Sequence, residues 1–374
     1  MVIYLVLLIF IFSFSIVMML NPSKRTANKF LGIYVLLLSL FAGLRFHTGW
    51  DWEAYDYFFN LLNQANIYDF FSYNIFNYEP GFVLLSYISI LLNIPPFLLF
   101  AIITVSLIVS SAHKYLGKFV PYIFCLIYLY YGYFHNFSIV RQGIAAALFA
   151  YSIRFLIVRS YKFYFVIIFA SLFHISAAML LAIPLLLVIA NRVPFFLLLL
   201  LSICMVLLPL SDMLGLKSLM SKIPALNIYL NNSTLSYKVG FSLKYLELLI
   251  VFYCYYERKF FLPLINNFGI RQFWIFKGLI IIELMIYSIF NDYSIIYERL
   301  SVYFEFSHAI AIAMIVSTFK YKRIQFFLML ILLFFVFARY YQLVYSPVRV
   351  PGEMSHLERF ENYCSIFNER ECQR

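Results

Sequence analysis

The sequence predicts an all-α fold, a polytopic transmembrane bundle of about eleven or twelve spans, and three observations predict it. The 374 residues are 64% hydrophobic and 12% charged with a mean hydropathy of +0.88, so a water-soluble fold would leave more apolar surface than its polar residues could cover. Apolar runs rich in Leu, Ile and Phe recur from Val2 to Tyr341 without the period-two alternation of a membrane barrel. Lys and Arg gather in short loops between the runs, as they do on the cytoplasmic side of a membrane.

The first run, 2–20, has no basic residue ahead of it and no small-residue cleavage site behind it, so it reads as a retained span rather than a secretion signal. The runs 30–45, 95–112, 119–134, 143–158, 194–210, 241–256, 273–290, 300–318 and 324–341 follow. Each approaches the roughly 20 residues that cross a hydrocarbon core of about 30 Å. The run 81–93, held between Pro80 and Pro95-Pro96, is too short and reads as a re-entrant or half helix. The run 163–190 is long for one crossing and reads as a tilted span or as a hairpin broken near His174.

The basic groups are Lys24, Arg25 and Lys29; Lys114 and Lys118; Arg159 and Lys162; Arg258 and Lys259; and Lys320, Lys322 and Arg323. All five fall on one side if 81–112 crosses once and 163–190 twice, which gives about twelve crossings with both termini outside. The same arrangement puts loops 46–80 and 211–238 on the outer face. The first carries Asp51, Glu53, Asp56, Asp69 and Glu79 and no Lys or Arg, as suits an external loop. No break in composition divides residues 1–345, which read as one integral membrane domain ahead of a polar tail, 346–374. The net charge of +11 follows from this topology and from attraction to anionic headgroups, with no nucleic-acid partner required. Cys125, Cys204 and Cys254 lie in apolar runs, whereas Cys364 and Cys372 lie in the tail. Those two pair if the tail is extracytoplasmic and stay free if it is cytosolic.

Polar residues in such a chain need a reason. Arg45, Arg141 and Arg299 all fall at the outer face in this topology. Each taken singly snorkels or pairs with a carboxylate, but three at one depth favour a shared polyanion. Guanidinium forks match phosphate oxygens, so a lipid-linked pyrophosphate suits them. Asp51 and Glu53, an Asp-x-Glu pair, read as Mg²⁺ or Mn²⁺ ligands or as solvated loop acids, and Asp51, Glu53 and Glu79 each read as a general base toward a sugar hydroxyl. Glu79, just ahead of Pro80-Gly81, also fits a helix-start charge. His174, followed by Ser176, Ala177 and Ala178, reads as a packed polar contact or as chemistry, and His308 is open in the same way. Trp50, Trp52, Tyr55 and Tyr57 suit sugar stacking or the interfacial belt. The absence of a P-loop, a Rossmann fingerprint and a nucleophile elbow argues against ATP hydrolysis and redox catalysis, and no H-E-x-x-H metal spacing occurs.

Five short motifs come in order: Leu44-Arg45 with Gly49, Asp51 and Tyr55; Glu79-Pro80-Gly81-Phe82; Ile139-Val140-Arg141-Gln142-Gly143-Ile144-Ala145; Phe173-His174-Ile175-Ser176-Ala177; and Glu298-Arg299 with Tyr303. Together, over residues 44 to 303, they resemble the EpsG-like branch of bacterial Wzy-type polysaccharide polymerases. The resemblance implies an integral-membrane glycosyltransferase of the bacterial inner (cytoplasmic) membrane. Such an enzyme joins repeat units carried on undecaprenyl pyrophosphate into O-antigen, capsule or exopolysaccharide at the outer face. It uses no nucleotide sugar, no metal and no cofactor, and has a chain-length regulator as a further partner.

On that reading Arg45, Arg141 and Arg299 hold the donor's pyrophosphate as leaving group, and Asp51 or Glu79 activates the acceptor hydroxyl. Gln142 and His174 orient sugar or phosphate, and Gly49, Tyr55, Ser176 and Tyr303 complete the substrate-binding set. A flippase for the same lipid-linked oligosaccharide is the alternative, although the chain shows no repeat symmetry.

Overall fold

Proline punctuates the fold where the sequence places it. A computed structural model describes residues 2–20, 24–117, 121–208, 215, 218, 221, 222, 237–345, 363–365 and 367. In it Pro80, Pro96 and Pro121 each open a helix, where a missing N–H goes unneeded and the ring presets φ. The described residues are 79% helical, with fifteen α-helices and one two-stranded ladder. Most of loop 211–238, all of 346–362 and Cys372 lie outside the described residues.

The helices in chain order are α1 (Val2–Met19), α2 (Lys24–Gly43), α3 (Trp52–Leu62), α4 (Pro80–Leu91), α5 (Pro96–Leu116), α6 (Pro121–Tyr131), α7 (Val140–Ile157) and α8 (Lys162–Ser171). They continue as α9 (Ile183–Arg192), α10 (Phe195–Leu207), α11 (Leu243–Cys254), α12 (Arg258–Phe268), α13 (Ile270–Ile289), α14 (Ser294–Ser317) and α15 (Lys322–Tyr345). Strands β1 (Arg45–Phe46) and β2 (Cys364–Ser365) pair antiparallel.

Six helical segments among the described residues are long and apolar enough to cross a membrane: Thr26–Gly43, Pro96–Leu116, Val140–Ile157, Ile175–Arg192, Ile270–Ile289 and Ser294–Ser317. The protein is therefore a multi-pass membrane protein. The short run near 81–93 becomes the 12-residue α4, about 18 Å long at 1.5 Å per residue and well under a full crossing. The long run 163–190 divides beside His174, into α8 and a 3-10 turn, Ile175–Ala182, that leads into α9.

Two compact units make up the chain. The first comprises Met1–Leu181, Phe319–Val348 and Met354–Arg374. Within it α5 packs against α2 and α7, α7 against α8, and α1 against α6 and α15. Gly43 lets α2 close on α5, since a Cβ there would stand 2.4 Å from the Leu98 Cα. Buried phenols tie helices by donating to backbone carbonyls: Tyr34 to Cys125 at 2.9 Å, Tyr133 to Leu38 at 2.8 Å and Tyr115 to Ala150 at 2.6 Å.

The second unit comprises Ala182–Thr318 and Arg349–Glu353. Here α13 is central and packs against α9, α10, α11, α12 and α14. Gly278 admits α9, because a Cβ there would fall 2.5 Å from Leu187 Cδ2. Ser202 Oγ lies 2.8 Å from both Tyr245 Oη and Ser288 Oγ, so α10, α11 and α13 share buried hydroxyl contacts.

Candidate functional site

The strip after α2 turns sharply, and glycine is required there. Gly49 has φ +105°, and a Cβ on it would lie 1.9 Å from the Phe137 carbonyl oxygen. That contact, with the Trp50 N–H donating to Ser138 Oγ at 3.3 Å, fastens the strip beside the start of α7. Asp51 occupies the N-cap position of α3, whose buried residues Trp52, Tyr55, Phe58, Phe59 and Leu62 recur at helical spacing. Rings of α4 and α5 receive them, with Phe58 stacked on Phe82 and Phe59 against Phe97. Tyr55 is thereby aimed at the first turn of α7.

Arg141 sits in that turn. Its Nη1 donates to Glu79 Oε2 at 2.6 Å, and its Nε to Tyr55 Oη at 3.5 Å. The Tyr78 ring lies 4.3 Å from its guanidinium carbon. A cation at a helix N-terminus opposes the macrodipole, and the carboxylate beside it offsets that cost. The other oxygen of Glu79, Oε1, accepts the Ile175 N–H at 3.1 Å. Glu79 heads α4 without a side-chain capping bond, so its carboxylate links the starts of α4 and α7 to the turn after α8. Gly81 holds the same junction, its N–H donating to the Leu172 carbonyl at 2.8 Å where a Cβ would collide.

Beyond the Glu79 junction, His174 Nδ1 lies 2.6 Å from Ser176 Oγ, and both side chains are half-buried. Gln142 is buried within α7, away from solvent. Burial, with the Asp51 carboxylate nearby, pushes the Tyr55 phenol up to about 12, and burial also raises Tyr78. Asp51, Tyr55, Tyr78, Glu79 and Arg141 thus share one neighbourhood, bordered by His174 and Ser176. Tyr78 and Ser138 are contributors that sequence reasoning passed over.

Arg45 departs from expectation. It is 1% exposed, with Nη1 donating to the Ala42 carbonyl and Nε to the Thr48 carbonyl at 3.1 Å. The rings of Phe97 and Phe137 cover its guanidinium at 4.1 and 5.4 Å, and Nη2 is buried without a hydrogen-bond partner among the described residues. Burial lowers its pKa from 12.5 to about 10, which leaves it charged at neutral pH. Its carbonyl partners include the end of α2, and the β1–β2 ladder pairs it with Ser365. Tyr363 closes this corner by stacking on Phe41 at 4.4 Å and donating to the Phe41 carbonyl. Cys364 is disulfide-bonded, and its expected partner, Cys372, lies outside the described residues. Arg45 has no open face for a diphosphate and serves as an internal tie.

Arg299 and Tyr303 belong to the second unit, inside α14 rather than ahead of it, Arg299 half-buried and Tyr303 fully buried. A polar cluster in the same unit was not foreseen. Lys244 Nζ lies 3.2 Å from Glu283 Oε1, and His308 Nδ1 lies 3.1 Å from Glu283 Oε2 and 3.2 Å from Lys244 Nζ. His308 Nε2 faces Glu247 Oε1 at 4.0 Å. Glu283 alone, a carboxylate deep in an apolar run, was the signal that could have found it.

Comparison with known proteins gives one family. The family model described as EpsG family matches residues 28–351. No curated protein and no solved structure matches the chain.

Proposed function

Because the chain belongs to the EpsG family, membrane proteins of polysaccharide biosynthesis that include Wzy-like polymerases, we propose that it polymerises lipid-linked oligosaccharide repeat units. The repeat units would be carried on undecaprenyl pyrophosphate and joined into O-antigen, capsule or exopolysaccharide at the outer face of the bacterial inner membrane. One observation carries this reading: the side chain of Arg141 is 25% exposed, and its Nη2 makes no hydrogen bond within the protein among the described residues. A guanidinium fixed on one edge and open on the other suits a phosphate oxygen.

In this mechanism Arg141 binds the donor's diphosphate and stabilises it as it leaves the anomeric carbon. Glu79, with both oxygens engaged, positions Arg141 rather than acting as base. Asp51 then becomes the group that accepts the acceptor hydroxyl's proton. Tyr55 and Tyr78 wall the site, and His174 with Ser176 orients sugar or phosphate. Sidedness is supported by the tail, since a disulfide at Cys364 belongs in an oxidising compartment and β2 pairs directly with β1.

A strain lacking the gene provides the test. A polymerase defect leaves single repeat units on the finished surface acceptor, and complementation restores the ladder. Units trapped on the inner leaflet would indicate a flippase and overturn the reading.

A further inference from the structure

A file of aromatic rings runs from Arg141 out to the surface of the first unit. Tyr78, its ring 4.3 Å from the Arg141 guanidinium carbon, stacks on Phe76 at 5.3 Å with an interplanar angle of 16°. Phe76 in turn meets Tyr57 edge-on at 6.0 Å. The outer end of the file is open, with Tyr57 54% and Phe76 39% exposed. Trp52 and Tyr55, which the sequence offered beside Tyr57 as sugar-stacking rings, are instead buried on the inward face of α3.

The outward face of α3 is of a different kind. Glu53, Tyr57 and Asn60, spaced by four and three residues, form an exposed ridge opposite the packed stripe. Asn60 Nδ2 donates to Asp56 Oδ2 at 3.0 Å, which orients the amide and, among the described residues, leaves it a second N–H and its carbonyl oxygen. A ring flanked by a carboxylate and an amide is matched to a pyranose, which offers a C–H face to the ring and hydroxyls to the polar groups on either side. Tyr57 stands six residues along the chain from Asp51, about 9 Å at 1.5 Å per residue, so a sugar on Tyr57 lies outward of one whose hydroxyl reaches Asp51.

Exposed rings also suit a bilayer surface, but the charge here is wrong for one. Segment 46–80 carries five carboxylates and no Lys or Arg, whereas surface-lying helices use a basic polar face to hold anionic headgroups. Core packing accounts for Phe58, which is fully buried, and leaves the solvent-facing Tyr57 without a role.

We propose that the Glu53–Tyr57–Asn60 ridge, flanked by Phe76, is a platform for the acceptor glycan. Tyr57 stacks on a sugar ring of the acceptor, and Glu53 and Asn60 bind hydroxyls of that sugar. This rests on the polymerase reading and adds to it the surface along which the acceptor chain lies, apart from the donor's diphosphate at Arg141.

The test uses the full chain in lipid nanodiscs. The probe is the repeat-unit oligosaccharide released from the host's own surface polymer and freed of lipid. Binding is followed by calorimetry in the absence of donor, so it does not depend on turnover. Wild type is expected to bind, Tyr57→Ala to weaken binding about tenfold, and Tyr57→Phe to stay within about threefold because the ring remains. Asn60→Ala is expected to weaken it about fivefold. No binding by wild type, or equal binding by wild type and Tyr57→Ala, would overturn the platform. A fluorophore on Tyr57→Cys that is quenched by spin-labelled lipid and not by aqueous iodide would assign the ridge to the bilayer surface and overturn it too. The polymerase reading fails by a separate result, repeat units trapped on the inner leaflet of the strain lacking the gene.

Discussion

Glu79 and Arg141 lie 62 residues apart in the chain and meet through a 2.6 Å ion pair that also draws in the Ile175 N–H. Three segments of the first unit depend on that one carboxylate. Replacing Glu79 with Gln is expected to lower polymer synthesis by about 100-fold through misplacement of Arg141. With the pair partly exposed, the stability loss should be smaller, about 1–2 kcal/mol. Quantifying surface polysaccharide against the amount of inserted protein separates the two effects.

Glycine substitutions divide by geometry. Gly49→Ala meets both a φ of +105° and a carbonyl 1.9 Å from the new Cβ, so it should cost about 2–4 kcal/mol. Gly32, inside α2 with nothing within 4 Å, should gain up to about 1 kcal/mol as Ala. Thermal unfolding of the two variants in the same detergent checks the contrast.

Arg45 and Arg141 should fail differently. Arg45→Gln removes a buried tie to the end of α2 and should lower thermal stability by several degrees while leaving the KM for the lipid-linked donor unchanged in protein that survives. Arg141→Lys should raise that KM with little loss of stability. Equal KM changes in the two variants would restore Arg45 to the substrate site.

Tyr363 supplies a pH test. Burial raises its phenol from 10.0 to about 12. The folded state thus favours the protonated form, and the stability this group contributes is complete below pH 10 and lost as pH rises through about 12. Tyr363→Phe removes the hydrogen bond to Phe41 and should cost about 1 kcal/mol near pH 8. The difference from wild type should shrink between pH 10 and 12, as followed by unfolding at each pH.

The helices were legible because apolar runs and prolines have strong physical consequences. Pro80 opening α4 and the break beside His174 fall where the sequence puts them. In the site, Arg141, Glu79 and Tyr55 were singled out from the chain alone, but the pairing of Arg141 with Glu79 was not, since no spacing reveals that a residue 62 positions away will occupy a carboxylate. Arg45 misled because an arginine at a helix end looks alike whether it faces ligand or turns back on its own carbonyls. Lys244 and Glu247 on α11 and Glu283 on α13 were hidden because only packing brings the two helices' charges together.

The open edge of Arg141 is most directly tested by turning over a purified lipid-linked repeat unit with Arg141→Gln in bilayers, at wild-type levels of folded protein. No product longer than a single unit, with donor affinity reduced tenfold or more, is the expected result. A full-length ladder at the wild-type rate would contradict the assignment of Arg141 to the diphosphate.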